Sequence, residues 1–267
     1  MASESVTMSS NRIDERFASL RARGRKALVC YATAGHPDRA RSLDLLRGLQ
    51  DAGADVIEVG VPFSDPLADG PIIQASSQTA LDAGMTLDGA LELVSDAALD
   101  VPIVLFGYLN PFLAAGPGCL DRIRQAGCDG VLITDLPVGA DPPVEARFAA
   151  SPLAFVRLVA PTTPVERMRL IADNGSGFVY LISRLGVTGM QHEVAPQLGG
   201  TVQELRSVTT LPICVGFGVT DARQAASVAA IADGVVVGSA IVKAAGESVE
   251  SAVALTRSLR AGIDEAG

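Results

Sequence analysis

Lysine is almost missing from this chain: of 21 basic residues only Lys26 and Lys243 are lysines. Histidine is as scarce, with His36 and His192 alone and no second histidine at ligand spacing from either, which argues against a zinc site or a histidine-centred triad. The four cysteines, Cys30, Cys119, Cys128 and Cys214, lie far apart without a C-x-x-C pair. Three of them sit in or beside apolar runs, so they read as buried reduced thiols rather than redox or metal ligands. Positive charge is also deficient, 21 basic against 30 acidic residues for a net charge of −9, and such a surface repels nucleic-acid backbones and anionic membranes. Apolar runs such as Val101–Phe106 fall far short of the roughly 20 residues that span a bilayer. The segment Met1–Ser10 has neither the basic start nor the apolar middle of a secretion signal, so a cytoplasmic protein is expected.

What is present is an apolar chain, 48% hydrophobic and 19% charged, punctuated by 27 glycines and 15 prolines. Its 267 residues match the usual size of a closed (β/α) barrel, about 250 residues. Short β-branched runs alternate with longer amphipathic ones. The strand candidates are Leu28–Thr33, Asp55–Gly60, Pro102–Tyr108, Gly130–Thr134, Ala154–Val159, Gly177–Ile182, Pro212–Val215 and Gly234–Val237, enough to close a barrel. Helical patterns such as Ala40–Ala52, Leu87–Ala97, Val165–Asn174 and Ala222–Ala230 lie between them, and Ile13–Ala22 predicts an extra helix over the barrel's N-terminal end. Three segments echo one another, Ala52–Gly60, Ala126–Thr134 and Ala230–Gly238, either as an internal repeat or because helix-to-strand turns look alike. No linker divides the chain. Residues 1–10 read as a flexible N-terminal segment and residues 11–267 as a single (β/α)8 TIM barrel domain with an extra N-terminal helix.

Active sites of such barrels lie at the C-terminal strand ends. Glu58 stands in Val56-Ile-Glu-Val-Gly60, on the face shared with Val56 and Gly60 and opposite Ile57 and Val59. Burial there raises a carboxyl pKa toward neutrality, as a general acid-base requires. The bland alternative is a buried glutamate paired with Arg157. The following loop, Val61–Pro71, is stiffened by proline and carries Asp65 and Asp69. Asp69 is positioned to reach over the same cavity or to cap the next helix, and Asp65 precedes Pro66 as turn residues do. Glycine-rich arms follow three consecutive strands: Leu185–Gly189, Val215–Val219 and Val237–Lys243. Backbone N–H groups approach an anion at such glycines, and Ser239 adds a hydroxyl at a helix start, so the arms favour a phosphorylated substrate.

Lys26 lies at the wrong rim and Lys243 within the final short helix, so neither suits a Schiff-base role, and a metal-dependent aldolase lacks its ligands. Carboxylate acid-base chemistry on a phosphorylated, partly apolar molecule remains. Tyr31, Phe63, Tyr108, Tyr180 and Phe217 are candidates to line an apolar pocket or simply to pack the core.

Ile57-Glu-Val-Gly-Val-Pro-Phe-Ser-Asp-Pro-Leu-Ala-Asp-Gly70 resembles the signature of the tryptophan synthase alpha chain family. Tyr108–Pro111, Asp135–Pro137, Ser183–Gly189, Gly216–Gly218 and Gly238–Lys243 resemble that family's motifs in the same order, so the likeness runs from about Ile13 onward. It implies a barrel that cleaves indole-3-glycerol phosphate into indole and glyceraldehyde 3-phosphate, a retro-aldol reaction without a cofactor or metal. By the same resemblance Glu58 is the catalytic proton carrier, Asp69 holds the indole N–H, and Tyr180 lies near the reacting hydroxyl. Gly189, Gly218, Gly238 and Ser239 fall on the phosphate positions, and Tyr31, Leu132 and Phe217 flank the indole. Tyr31 stands where the family often has phenylalanine. Thr188 meets the catalytic aspartate when the loops after strands two and six close, with Gly186 and Gly189 as hinges.

The family also implies a pyridoxal-phosphate beta chain in an alpha2-beta2 heterotetramer, fed with indole through a tunnel, with Pro62, Asp65 and Asn110 at the contact. Two close relatives of this reading remain open, a free-standing indole-3-glycerol phosphate lyase and a non-catalytic barrel that activates a beta chain.

Overall fold

A computed structural model describes residues 11–182, 196–216 and 218–266. The expected flexible segment 1–10 lies outside them. Eight parallel strands close into a barrel in chain order: β1 (Ala27–Thr33), β2 (Val56–Gly60), β3 (Ile103–Gly107), β4 (Gly130–Ile133), β5 (Ala154–Val159), β6 (Val179–Ile182), β7 (Ile213–Gly216) and β8 (Gly234–Val237). Around them run α2 (Arg39–Asp51), α3 (Pro71–Asp82), α4 (Leu87–Ala97), α5 (Leu109–Ala114), α6 (Cys119–Gln125), α7 (Pro142–Ala149), α8 (Val165–Asp173), α9 (Pro196–Arg206), α10 (Ala222–Ala229), α11 (Ser239–Glu247) and α12 (Val249–Glu265). This is the (β/α)8 barrel that the alternation of patterns predicts.

Alternation along each strand sorts side chains into two apolar layers. Val29, Val56, Val104, Leu132, Val156 and Val236 fill the barrel interior. Ile57, Val59, Leu105, Phe155 and Val159 face outward and pack with the helices. The extra helix α1 (Arg12–Ala22) closes the interior from below. Its Ile13, Phe17 and Leu20 recur on one face and join the inner layer, with the Phe17 and Phe178 rings 5.7 Å apart. Asn11 caps the helix by accepting from the Ile13 N–H and donates its own amide to the Asp129 carbonyl at 2.7 Å, fastening α1 across the strand ends.

The three echoing segments share a physical device. Asp55, Asp129 and Asp233 each accept the backbone N–H of the neighbouring strand, from Leu28, Ile103 and Ile213, each at 2.9 Å. Each aspartate also meets an arginine: Arg260, Arg12 and Arg206 respectively. At β5 and β6 the Ser176 hydroxyl takes this place, accepting from the Phe155 N–H at 2.8 Å. The repeat therefore closes the strand pairs at the barrel floor, far from the mouth.

Several strand bounds shift by one or two residues from expectation, β6 starting at Val179 and β7 ending at Gly216. Strand β3 stops at Gly107, because Tyr108 turns the chain as the N-cap of α5. The short helix bearing Lys243, α11, is followed by the longer α12. The Arg260 guanidinium of α12 reaches Asp55 at 2.9 Å and locks the last helix to the floor.

Candidate active site

Glu58 sits inside the barrel midway along β2, 1% exposed, between Tyr31 of β1 and Val104 of β3 in the strand register. Its Oε1 has no hydrogen-bond partner among the described residues. Burial alone pushes its pKa from the ordinary 4.5 up to about 8. The alternative pairing with Arg157 fails on strand parity. Arg157 shares the outward face of Phe155 and Val159, and it bonds Glu145 at 3.0 Å, the Leu136 carbonyl at 2.9 Å and the Asn174 carbonyl at 3.0 Å. That ion pair is satisfied outside the barrel, so Glu58 faces the interior without a cation from Arg157.

The loop after β2 carries the second carboxylate over this chamber. The Asp69 N–H returns to the Pro66 carbonyl at 3.1 Å, and Gly70, not Asp69, is the N-cap of α3, with Pro71 opening the helix. Capping therefore does not occupy the Asp69 side chain. Its Oδ2 accepts from the Tyr108 hydroxyl at 3.0 Å. Desolvation raises the Asp69 pKa, opposed by this hydrogen bond. From the sequence Tyr108 is a candidate for pocket lining or core packing, with no link to Asp69. A bond between residues 39 apart leaves no local signal beyond a tyrosine at a strand end.

Tyr31, Tyr180 and Leu132 form walls of the same space. Leu132 is fully buried in the inner layer and Tyr180 packs at its edge. The Tyr31 ring meets Phe106 edge-on, with centroids 5.2 Å apart. Both phenols have pKa values raised by desolvation, and the Glu58 charge adds to each, which gathers the three groups in one chamber. Glycine is required at two points of the wall. A Cβ at Gly60 would overlap the Tyr31 hydroxyl, and one at Gly216 would lie 2.6 Å from the Tyr180 hydroxyl.

Gly238 is the N-cap of α11 and Ser239 its first residue, so the first turn of that nine-residue helix points unpaired N–H groups toward the mouth beside β8. Gly218, with φ +90°, follows the adjacent β7. The second and third glycine-rich arms therefore leave neighbouring strands of the barrel. Gly186, Thr188, Gly189 and Phe217 lie outside the described residues. Of the three expected contact residues, Asp65 and Asn110 are exposed, whereas Pro62 is buried within the chain. No group of histidine, cysteine and carboxylate side chains able to hold a metal occurs among the described residues. None of the described helices is long and apolar enough to cross a membrane.

The arrangement thus combines a buried carboxyl whose pKa is pushed up to about 8, a second carboxyl in an oriented hydrogen bond, two phenols and a helix N-terminus after β8. It can exchange a proton with one atom of a ligand, stabilise a developing positive charge at another, and hold an anion.

Residues 17–265 match the tryptophan synthase alpha chain family. The chain is 44% identical over 256 residues to the tryptophan synthase alpha chain of Caulobacter vibrioides, covering 94% of this chain and 92% of that one. It is 47% identical over 239 residues to the alpha chain of a Geobacter species, with 87% and 88% covered. The solved structure of tryptophan synthase subunit alpha from Legionella pneumophila superposes with a TM-score of 0.89 at 34% identity, covering 96% of this chain and all of the other. A barrel of this order, a mouth with these carboxylates and a match over almost its whole length place this chain in the tryptophan synthase alpha chain family, the lyases that cleave indole-3-glycerol phosphate in tryptophan biosynthesis.

Proposed function

We propose that this chain performs the family's cleavage with Glu58 as the proton carrier and Asp69 as the partner of the indole N–H. The observation that carries the assignment is the buried Glu58 carboxyl, whose pKa of about 8 makes it a proton donor at neutral pH and a competent acceptor once that proton has left. Glu58 gives its proton to indole C3, and positive charge develops on the ring nitrogen, where the Asp69 carboxylate compensates it. The hydroxyl on the adjacent glycerol carbon then returns a proton to Glu58 as the carbon–carbon bond breaks. Indole and glyceraldehyde 3-phosphate leave, with Glu58 restored. Tyr180 orients the reacting hydroxyl, and Tyr31, Leu132 and Phe217 enclose the indole. Gly189, Gly218, Gly238 and Ser239 hold the phosphate, and Thr188 closes on Asp69. Side chains alone supply the chemistry, without a cofactor or metal in this chain.

The same reading includes a beta chain carrying pyridoxal phosphate, in an alpha2-beta2 assembly that channels indole, in the cytoplasm. Support comes from the surface beside Asp65: Leu67 is 85% exposed, and a groove of about 340 Å3 runs between Phe63, Leu67 and Gln78. Pro62 would act there through the loop's backbone shape, and Asp65 and Asn110 by contact. The test is indole release from indole-3-glycerol phosphate by the purified chain, alone and then with a beta chain and serine. Slow release that rises by orders of magnitude with the beta chain is expected. Fast release unmoved by the beta chain would make the chain a free-standing lyase, and no release in either case would make it a non-catalytic activator.

A further inference from the structure

Tyr108 is buried to 4% exposure at the mouth end of β3, where it meets Thr134 after β4 and, above all, the loop that carries Asp69. Its hydroxyl accepts the backbone N–H of Ala68 at 3.0 Å and donates to the Asp69 carboxylate at 3.0 Å. A phenol has one proton to give. With the Ala68 N–H occupying the acceptor side, that proton is directed at Asp69. The Phe63 ring stacks on the phenol at a centroid distance of 5.0 Å and an interplanar angle of 25°, so the start and the end of the loop both grip one side chain. Behind it the Leu109 N–H is held by the Asp135 carboxylate at 2.7 Å, which fixes the backbone from which Tyr108 projects.

We infer that Tyr108 is a positioning residue: its hydroxyl fixes the Asp69 carboxylate as an oriented, ionised acceptor and ties the loop after β2 to β3. This deepens the function proposed above and rests on it. A donor to the charged form favours that form, so the contact opposes the upward push that burial gives the Asp69 carboxyl. The two carboxyls then differ in their surroundings: burial alone acts on Glu58, whereas Asp69 also has a donor that favours its charged form. The titratable groups around Asp69 are Glu58 of β2, Tyr31 of β1, Tyr180 of β6 and Tyr108 itself, with no basic side chain paired to it among the described residues.

The test compares Tyr108→Phe with the wild-type chain. Phenylalanine keeps the stack on Phe63 and removes only the hydroxyl. The first readout needs no substrate: the carboxyl signal of Asp69 in the carbon-13-labelled chain, identified by its loss in Asp69→Asn, is titrated by NMR. Its midpoint is expected to rise by about one pH unit in the variant. The second is the pH profile of indole release, where kcat is expected to fall about ten- to a hundredfold with KM little changed, and the acid limb to move upward. An unmoved Asp69 midpoint would overturn the inference. So would a variant whose pH profile is the wild-type curve scaled down, the signature of a merely structural loss. A wild-type chain that releases no indole would instead overturn the proposed function, and the catalytic meaning of the tether with it.

Discussion

Replacing Glu58 by glutamine should stabilise the protein, and by an amount that depends on pH. The native carboxyl keeps its proton up to about pH 8, whereas in the unfolded chain it ionises near its ordinary 4.5. Between those values only the unfolded state loses the proton, so its free energy falls relative to the native state. The stability associated with Glu58 is therefore fully present below about pH 4.5 and is lost progressively as pH rises through 8. Each pH unit corresponds to about 1.4 kcal/mol, so the loss at pH 7 is of the order of 3 kcal/mol. Glutamine has the same shape and no charge to lose. Guanidinium unfolding of both proteins, followed by circular dichroism at pH 5, 6, 7 and 8, cancels every other titrating group in the difference. The variant should exceed the wild type by less than about 1 kcal/mol at pH 5 and by about 3 kcal/mol at pH 7. A difference that stays flat with pH would refute the reasoning, because it would mean that Glu58 is already ionised in the folded barrel. The gain in stability is expected to come with loss of activity, as for other groups held in a costly state for function.

The remaining expectations follow from single contacts. Ser239→Ala should raise KM for the phosphorylated substrate about tenfold with kcat little changed, since it removes one donor to a charged oxygen; unaltered binding of glycerol 3-phosphate by calorimetry would count against that site. Arg157→Met should cost about 3–5 kcal/mol in guanidinium unfolding by stranding the buried Glu145, whereas Arg157→Met with Glu145→Gln should regain most of it. If the double variant is no more stable than the single one, the pair is not the source of the loss.

The barrel was largely legible because periodicity is a local property. The run Val56–Gly60 states its own two faces, and these are the faces on which Glu58 and Ile57 are found. The echo of Ala52–Gly60 in two later segments was visible too, but its meaning was not. Asp55, Asp129 and Asp233 act on strands that precede them by 20 to 27 residues, a relation only the closed sheet reveals. Strand parity already separated Arg157 from Val156 and so argued against its reaching Glu58, yet its true partner Glu145 lies on a helix the strand pattern does not describe. The Asp69 side chain looked equally suited to capping, because an aspartate before Gly-Pro fits a helix start; the cap fell one residue later, at Gly70. Tyr108 was least legible of all. A tyrosine in Tyr-Leu-Asn-Pro reads as pocket lining or packing until folding brings β3 against the loop after β2.

The proposed cleavage turns on a proton held by Glu58 inside the barrel. The most direct measurement is single-turnover cleavage of indole-3-glycerol phosphate by wild type and Glu58→Gln, with glycerol 3-phosphate binding followed in parallel. Wild type should release indole and glyceraldehyde 3-phosphate in equal amounts, and the variant should bind the phosphate normally while cleaving at least about a thousandfold more slowly. A variant that binds and cleaves at near the wild-type rate would contradict the assignment of the proton to Glu58.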